Sequence, residues 1–136
     1  MGDRERIKRI AGYSAKNERE GRKMIGIKAK RYCYVCSPYR GNIFKRIRNK
    51  RYARELTERA INAGFTPVTP HLYITQVLND KIPAERQQGL EISKDLLNIC
   101  EVVFVGEKYG ISAGMAAELE LAKKSNKQIL RFDNDR

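Results

Sequence analysis

At 136 residues, with 41% hydrophobic and 32% charged side chains, the chain has the size and composition of one soluble globular domain able to bury a core of its own. No apolar run approaches the roughly 18 residues that a membrane span needs, so no membrane partner is expected, and the charged start lacks the apolar stretch of a secretion signal. The formal net charge of +12 is unevenly placed: residues 1–31 hold eleven basic and four acidic side chains, Arg40 to Arg54 adds seven basic residues and no acid, and the remainder is slightly acidic. A basic N-terminal half points to an anionic partner, whether a nucleotide, a nucleic acid or an acidic protein. The aromatic residues are not interleaved with the basic run as base stacking would want. Three cysteines with no scaffold spacing fit a reducing compartment, and the cytoplasm is the expected one.

Residues 1–30 have weak periodicity and read as a basic, flexible or marginally helical arm; residues 31–136 read as the domain. Tyr32 to Ser37 is a short β-rich run ended by the turn signals Pro38 and Gly41. Residues 43–63 read as a helix with Tyr52, Leu56, Ala60 and Ala63 on one face and Gly64 as its C-terminal stop. Ile43 and Ile47 fall off that face, so irregular first turns, or packing elsewhere, are expected there. Phe65 to Thr69 reads as a second strand closed by Pro70, and residues 71–80 as a short helix or an ordered loop. Pro83 opens a helix running to about Cys100, with Glu85 in its first turn. Its spacing puts Arg86, Gly89, Leu90, Ser93, Leu97 and Cys100 on an inward stripe and Asp95 on the opposite side. Glu101 to Gly106 is a near-continuous apolar run of the buried parallel kind. Ser112 caps a helix to Lys124, and Gln128 to Phe132 is a last strand. The alternation predicts an α/β, Rossmann-like, open and mostly parallel sheet with helices on both faces. Ligands of such folds bind beyond the carboxyl ends of the strands, where the loops Ser37–Asn42, Pro70–Leu72 and Gly106–Gly114 meet.

Glu118 is the residue out of place. On the 112–124 helix it shares a face with Met115, Leu119 and Ala122, whereas Glu120 points the other way. A carboxylate in an apolar stripe costs several kcal/mol to desolvate unless something uses it. Above it, Ser37-Pro-Tyr-Arg-Gly-Asn42 can receive an anion through backbone N–H groups and Arg40, and Ser112-Ala-Gly114 opens a helix with free N–H groups. His71, the one histidine, follows Pro70 at a strand's carboxyl end. Cys33-Tyr-Val-Cys36 spells C-x-x-C, but residues three apart in a strand face opposite sides. No metal site is therefore expected there.

Four segments in order, Cys36–Gly41, Pro70–Leu72, Glu85-Arg86 and Ser112–Glu118 with its Ser-x-Gly-Met-x-x-Glu pattern, resemble the nucleoside 2-deoxyribosyltransferase-like superfamily, closest to its uncharacterised short phage and mobile-element members. The resemblance spans about Tyr32 to Phe132. It implies that Glu118 is a nucleophile attacking the anomeric carbon of a nucleotide-like substrate, as in retaining glycosidases. It also implies a phosphate or 5′-hydroxyl pocket from Tyr39, Arg40 and Gly41 with Ser112 and Gly114. One departure stands out. Active members carry an aspartate, eight residues before the acid that begins the third strand, which protonates the leaving base; here that position is Ser93, and Asp95 faces away. His71 is the candidate replacement. Otherwise the base leaves unaided, or the protein binds without cutting.

The expected catalytic residues are thus Glu118 and His71. The expected ligand-binding residues are Ser37, Pro38, Tyr39, Arg40, Gly41, Arg86, Ser93, Ser112, Gly114 and Met115, with no cofactor. Three functions compete: cleavage or transfer of an N-glycosidic bond; sequestration of a nucleotide immune signal, of phage anti-defence type; and nucleic-acid binding through the basic arm. The resemblance further implies a homo-oligomer.

Overall fold

Tyr32-Cys-Tyr-Val-Cys36 contains no charged or amide side chain, as a strand covered on both faces requires. In the computed structural model, which describes residues 10–11 and 31–132, this run is an interior strand, β2 (Tyr32–Cys36). It pairs in parallel with β3 (Thr66–Val68) on one side and β4 (Val102–Val105) on the other. The last strand, β5 (Gln128–Phe132), runs parallel to β4. A two-residue strand, β1 (Ile10–Ala11), adds antiparallel to β5 and completes the order β1-β5-β4-β2-β3. The rest of the basic arm expected over residues 1–30 lies outside the described residues. The class is the expected one, α/β with a Rossmann-like open sheet.

Pleat alternation divides the core. Cys33, Val102, Phe104 and Leu130 face the helix α1 (Ile43–Asn62), meeting its end at Ala60 and Ala63, while Val35 packs against its Tyr52 and Leu56. The other face of the sheet carries Tyr34, Cys36, Val103 and Val105. It is covered by α3 (Pro83–Ile99) through Leu97 and by α4 (Ala113–Lys124) through Met115, Leu119 and Ala122. Helices therefore lie on both faces, and Cys33 and Cys36 point into different layers. All three cysteines are free and buried, and burial pushes the Cys100 thiol up to about 11. Among the described residues no helix is long and apolar enough to cross a membrane.

Sequence signals set most element ends. The Asn42 side chain accepts from the Lys45 N–H at 2.9 Å and starts α1. Gly64, at φ +94°, takes the left-handed turn that ends it. The Ser112 hydroxyl accepts from the Met115 N–H at 3.2 Å and starts α4. Residues 70–77 combine a 3-10 turn, Pro70–Leu72, with a one-turn helix, α2 (Ile74–Val77).

Two expectations need correction. The first turns of α1 are regular helix, and Ile43, Phe44 and Ile47 are simply exposed. On α3 the inward stripe is buried only at its sheet end, at Leu97 and Cys100; Leu90 is exposed and Arg86 lies at the surface. The entry half of α3 overhangs the strand ends, so its stripe lines a cleft rather than the core.

The chain leaves β2 to build β3 on one side and returns to place β4 on the other. The switch point of the sheet thus lies between the carboxyl ends of β2 and β4, where α/β folds bind ligands. Gly106 closes β4 there. A Cβ on Gly106 would overlap the Tyr52 hydroxyl and Leu56 Cδ1, both on α1, and Tyr52 cannot yield because its hydroxyl accepts from the Lys108 N–H at 3.2 Å. Gly106→Ala is expected to destabilise the fold by about 1–3 kcal/mol, the usual range for overpacking a filled core, measured by urea denaturation.

Candidate functional site

The site is assembled on β2. Tyr34 and Cys36 face the α3–α4 layer, and the next residues, Ser37 and Pro38, leave the strand at the switch point. α4 is tied to this end of β2 by the Cys36 thiol, which donates to the Met115 carbonyl at 3.9 Å. One turn further along α4, Glu118 is brought against Tyr34. The Tyr34 hydroxyl donates to the Glu118 carboxylate and accepts from the Ser93 hydroxyl of α3. Three elements thus place Ser93, Tyr34 and Glu118 in one hydrogen-bonded chain.

Glu118 is partly exposed as a residue, but its Oε2 atom is out of solvent and has no hydrogen-bond partner. Burial raises its pKa from 4.5 to about 7, against the Tyr34 hydrogen bond, which favours the charged form. At neutral pH the carboxyl is therefore divided between acid and base forms. Burial, reinforced by the charge of Glu118, pushes the Tyr34 phenol far upward, so Tyr34 stays protonated and remains a donor. The Cys36 thiol is raised for the same two reasons and is inert as a nucleophile.

A second orphaned group lies close in sequence to this end of the strand: the Ser37 hydroxyl, buried and without a partner. Buried polar atoms of this kind are rare. The Ser37 carbonyl is engaged, accepting from the His71 ring. His71 stacks on Tyr39 with ring centroids 5.2 Å apart and planes 20° from parallel. Burial is the largest influence on the imidazole and lowers its pKa, against the Ser37 bond and the charge of Asp80. His71 is thus neutral at pH 7, with an N–H already committed to Ser37.

His71, Tyr39, Arg86 and Ser93 line a cleft of about 80 Å³. Tyr39 also borders a larger one, of about 350 Å³, together with Arg40 and Gly41. The first loop is positioned from α1: buried Asn49 donates to the Tyr39 carbonyl at 3.2 Å. Gly41, at φ +149°, takes a backbone conformation that a side chain disfavours. Arg40 forms an ion pair with Asp80 at 3.0 Å, and Arg86 approaches the same carboxylate at 3.9 Å. Ser112 and Gly114 are exposed at the start of α4 and line neither cleft. Met115 is buried beneath them. Asp95 is exposed.

Tyr34 is the site residue that sequence reasoning misses, because a tyrosine in a buried strand reads as core. Arg46, with a buried and unpartnered Nε, and Asp80 are missed as well. Among the described residues no cluster of three or more His, Cys, Asp or Glu is placed to hold a metal ion.

No curated protein matches the chain. Residues 31–132, from the lead-in of β2 to the end of β5, match the family described as Domain of unknown function (DUF7768). That span is well over half of the sequence, and the chain belongs to the DUF7768 family.

Proposed function

We propose that the protein binds a nucleotide or nucleotide-derived ligand at the carboxyl edge of the sheet and cleaves or transfers its N-glycosidic bond, with Glu118 as nucleophile. The observation that carries this reading is the Glu118 carboxyl itself: an orphaned Oε2 and a pKa raised to about 7, against Tyr34 of β2, the strand whose carboxyl end borders the switch point of the sheet. Resemblance of the Ser37–Gly41 and Ser112–Glu118 segments to the nucleoside 2-deoxyribosyltransferase-like superfamily supports it. In the proposed first step, a Glu118 oxygen forms a bond to the anomeric carbon as the carbon–nitrogen bond breaks. The bonding pair leaves with the base, which takes its proton from water. Water, or a second nucleobase, then attacks the glycosyl ester and frees Glu118. Tyr34 steadies the carboxylate before attack and after release.

A second reading has its own observation. The position of the expected aspartate is Ser93, whose hydroxyl is spent on Tyr34, and neutral His71 is a poor proton donor. Glycosidic cleavage without a general acid loses about 10²–10⁴-fold, and a pocket so altered suits sequestration of a nucleotide immune signal, as an anti-defence protein of phage would perform. Nucleic-acid binding through the basic arm is the third reading. The exposed Ile43, Phe44 and Ile47 suit a homo-oligomer, and three free thiols suit the cytoplasm.

Incubation with a panel of nucleotides, with released base followed by chromatography, separates these readings. Base release by the wild type and none by Glu118→Gln supports cleavage. Equal release by both proteins removes Glu118 from the chemistry, and tight binding without product selects sequestration.

A further inference from the structure

The larger cleft is built between the β2–α1 loop, the start of α1, and α2 with the segment that follows it. Its charged lining is Arg40, Arg46 and Lys81 against one acid, Asp80, a net charge of +2. Its volume, about 350 Å³, falls in the range of small-molecule sites. Arg46 borders it with an Nε–H that is buried and donates to nothing. An unmet guanidinium donor marks a place where an acceptor belongs. Asp80 already shows what kind of acceptor the site takes: its carboxylate lies 3.0 Å from Arg40 and 3.9 Å from Arg86. Asp80 belongs to both clefts, and the smaller one runs on to Ser93, which is hydrogen-bonded to Tyr34.

We propose that this cleft is a binding site for a diphosphate group, held by Arg40, Arg46 and Lys81, and that the Asp80 carboxylate competes with it for Arg40. The two negative charges of a diphosphate diester match the net charge of the lining. The order of the clefts then makes the whole ligand a nucleoside esterified through a diphosphate diester, such as a dinucleotide, its glycosidic end toward Glu118 and its diphosphate beyond Tyr39. That extension rests on the reading of Glu118 given above, whereas the diphosphate site itself does not.

The test is isothermal titration of the full chain with inorganic pyrophosphate at physiological salt. Wild-type protein is expected to bind, Arg46→Gln to bind about tenfold or more weakly for loss of a charge-assisted hydrogen bond, and Asp80→Asn to bind about tenfold more tightly. Glu118→Gln is expected to bind pyrophosphate as the wild type does, so failure of the glycosidic chemistry leaves this result standing. Absence of pyrophosphate binding, or wild-type affinity in Arg46→Gln, overturns the proposal; the latter would assign binding to the basic arm. Asp80→Asn with unchanged affinity overturns the competition. Should Arg46→Gln fail to fold, Lys81→Met, at an exposed position, is read by the same criterion.

Discussion

Glu118→Gln is expected to make the protein more stable at pH 8 than the wild type, by on the order of 3 kcal/mol relative to the difference at pH 4. The cause is the environment of the carboxyl. Glutamine is close in shape to a protonated glutamic acid, so at low pH the two proteins bury nearly the same group. As pH rises past 4.5, the unfolded wild-type chain loses its proton while the folded one keeps it, because burial raises the folded pKa to about 7. The folded state therefore binds more protons than the unfolded state across that window, and wild-type stability falls until pH passes about 7. His71 works in the opposite sense. Its folded pKa is lowered, so its contribution is present above pH 6.5 and is lost as pH falls. Both proteins retain His71, and it drops out of the difference. Urea melts at half-unit steps between pH 4 and pH 8 give the comparison; parallel curves would show that the carboxyl titrates as an ordinary surface acid.

Tyr34→Phe is expected to move the same titration upward. The ring is buried, and phenylalanine keeps its packing while removing the hydroxyl. That hydroxyl is the group that lowers the Glu118 pKa against burial. A hydrogen bond to a charged group contributes about 1.5–3 kcal/mol, so its loss raises the carboxyl by about one to two units. At pH 7 the ionised fraction then falls from about half to a tenth or less. Any reaction that needs the carboxylate slows about fivefold or more at pH 7 and recovers at higher pH, a profile that simple damage to the fold does not give. A Tyr34→Phe rate lowered equally at every pH would place the hydroxyl in a structural role only.

The layered fold is legible because its signals are local. Val102–Val105 is a strand buried on both faces and reads as an unbroken apolar run, and Asn42, Gly64 and Ser112 mark helix ends with their own side chains or backbone. Glu118 is legible for the same reason: helical periodicity alone puts it beside Met115, Leu119 and Ala122. What it meets is not legible. Tyr34 reaches Glu118 only because α4 crosses β2 eighty residues later in the chain, and nothing near Tyr34 distinguishes it from core. The one available signal is that Tyr34 and Cys36 alternate onto a single face, which some helix must cover. Arg86 and Leu90 mislead because a helical stripe gives direction and not depth; α3 overhangs the sheet, so half its stripe borders a cleft. Arg46 and Asp80 depend on how residues 75–81 fold back over the first loop, which composition does not encode.

The Glu118 carboxyl is buried, half-partnered and poised to change charge near neutrality. Carbon-13 NMR of the side-chain carboxyls, with the Glu118 signal identified by its loss in Glu118→Gln, measures this directly. A midpoint near 7 is the predicted result. A midpoint near 4.3, the value of an unperturbed glutamate, would contradict it.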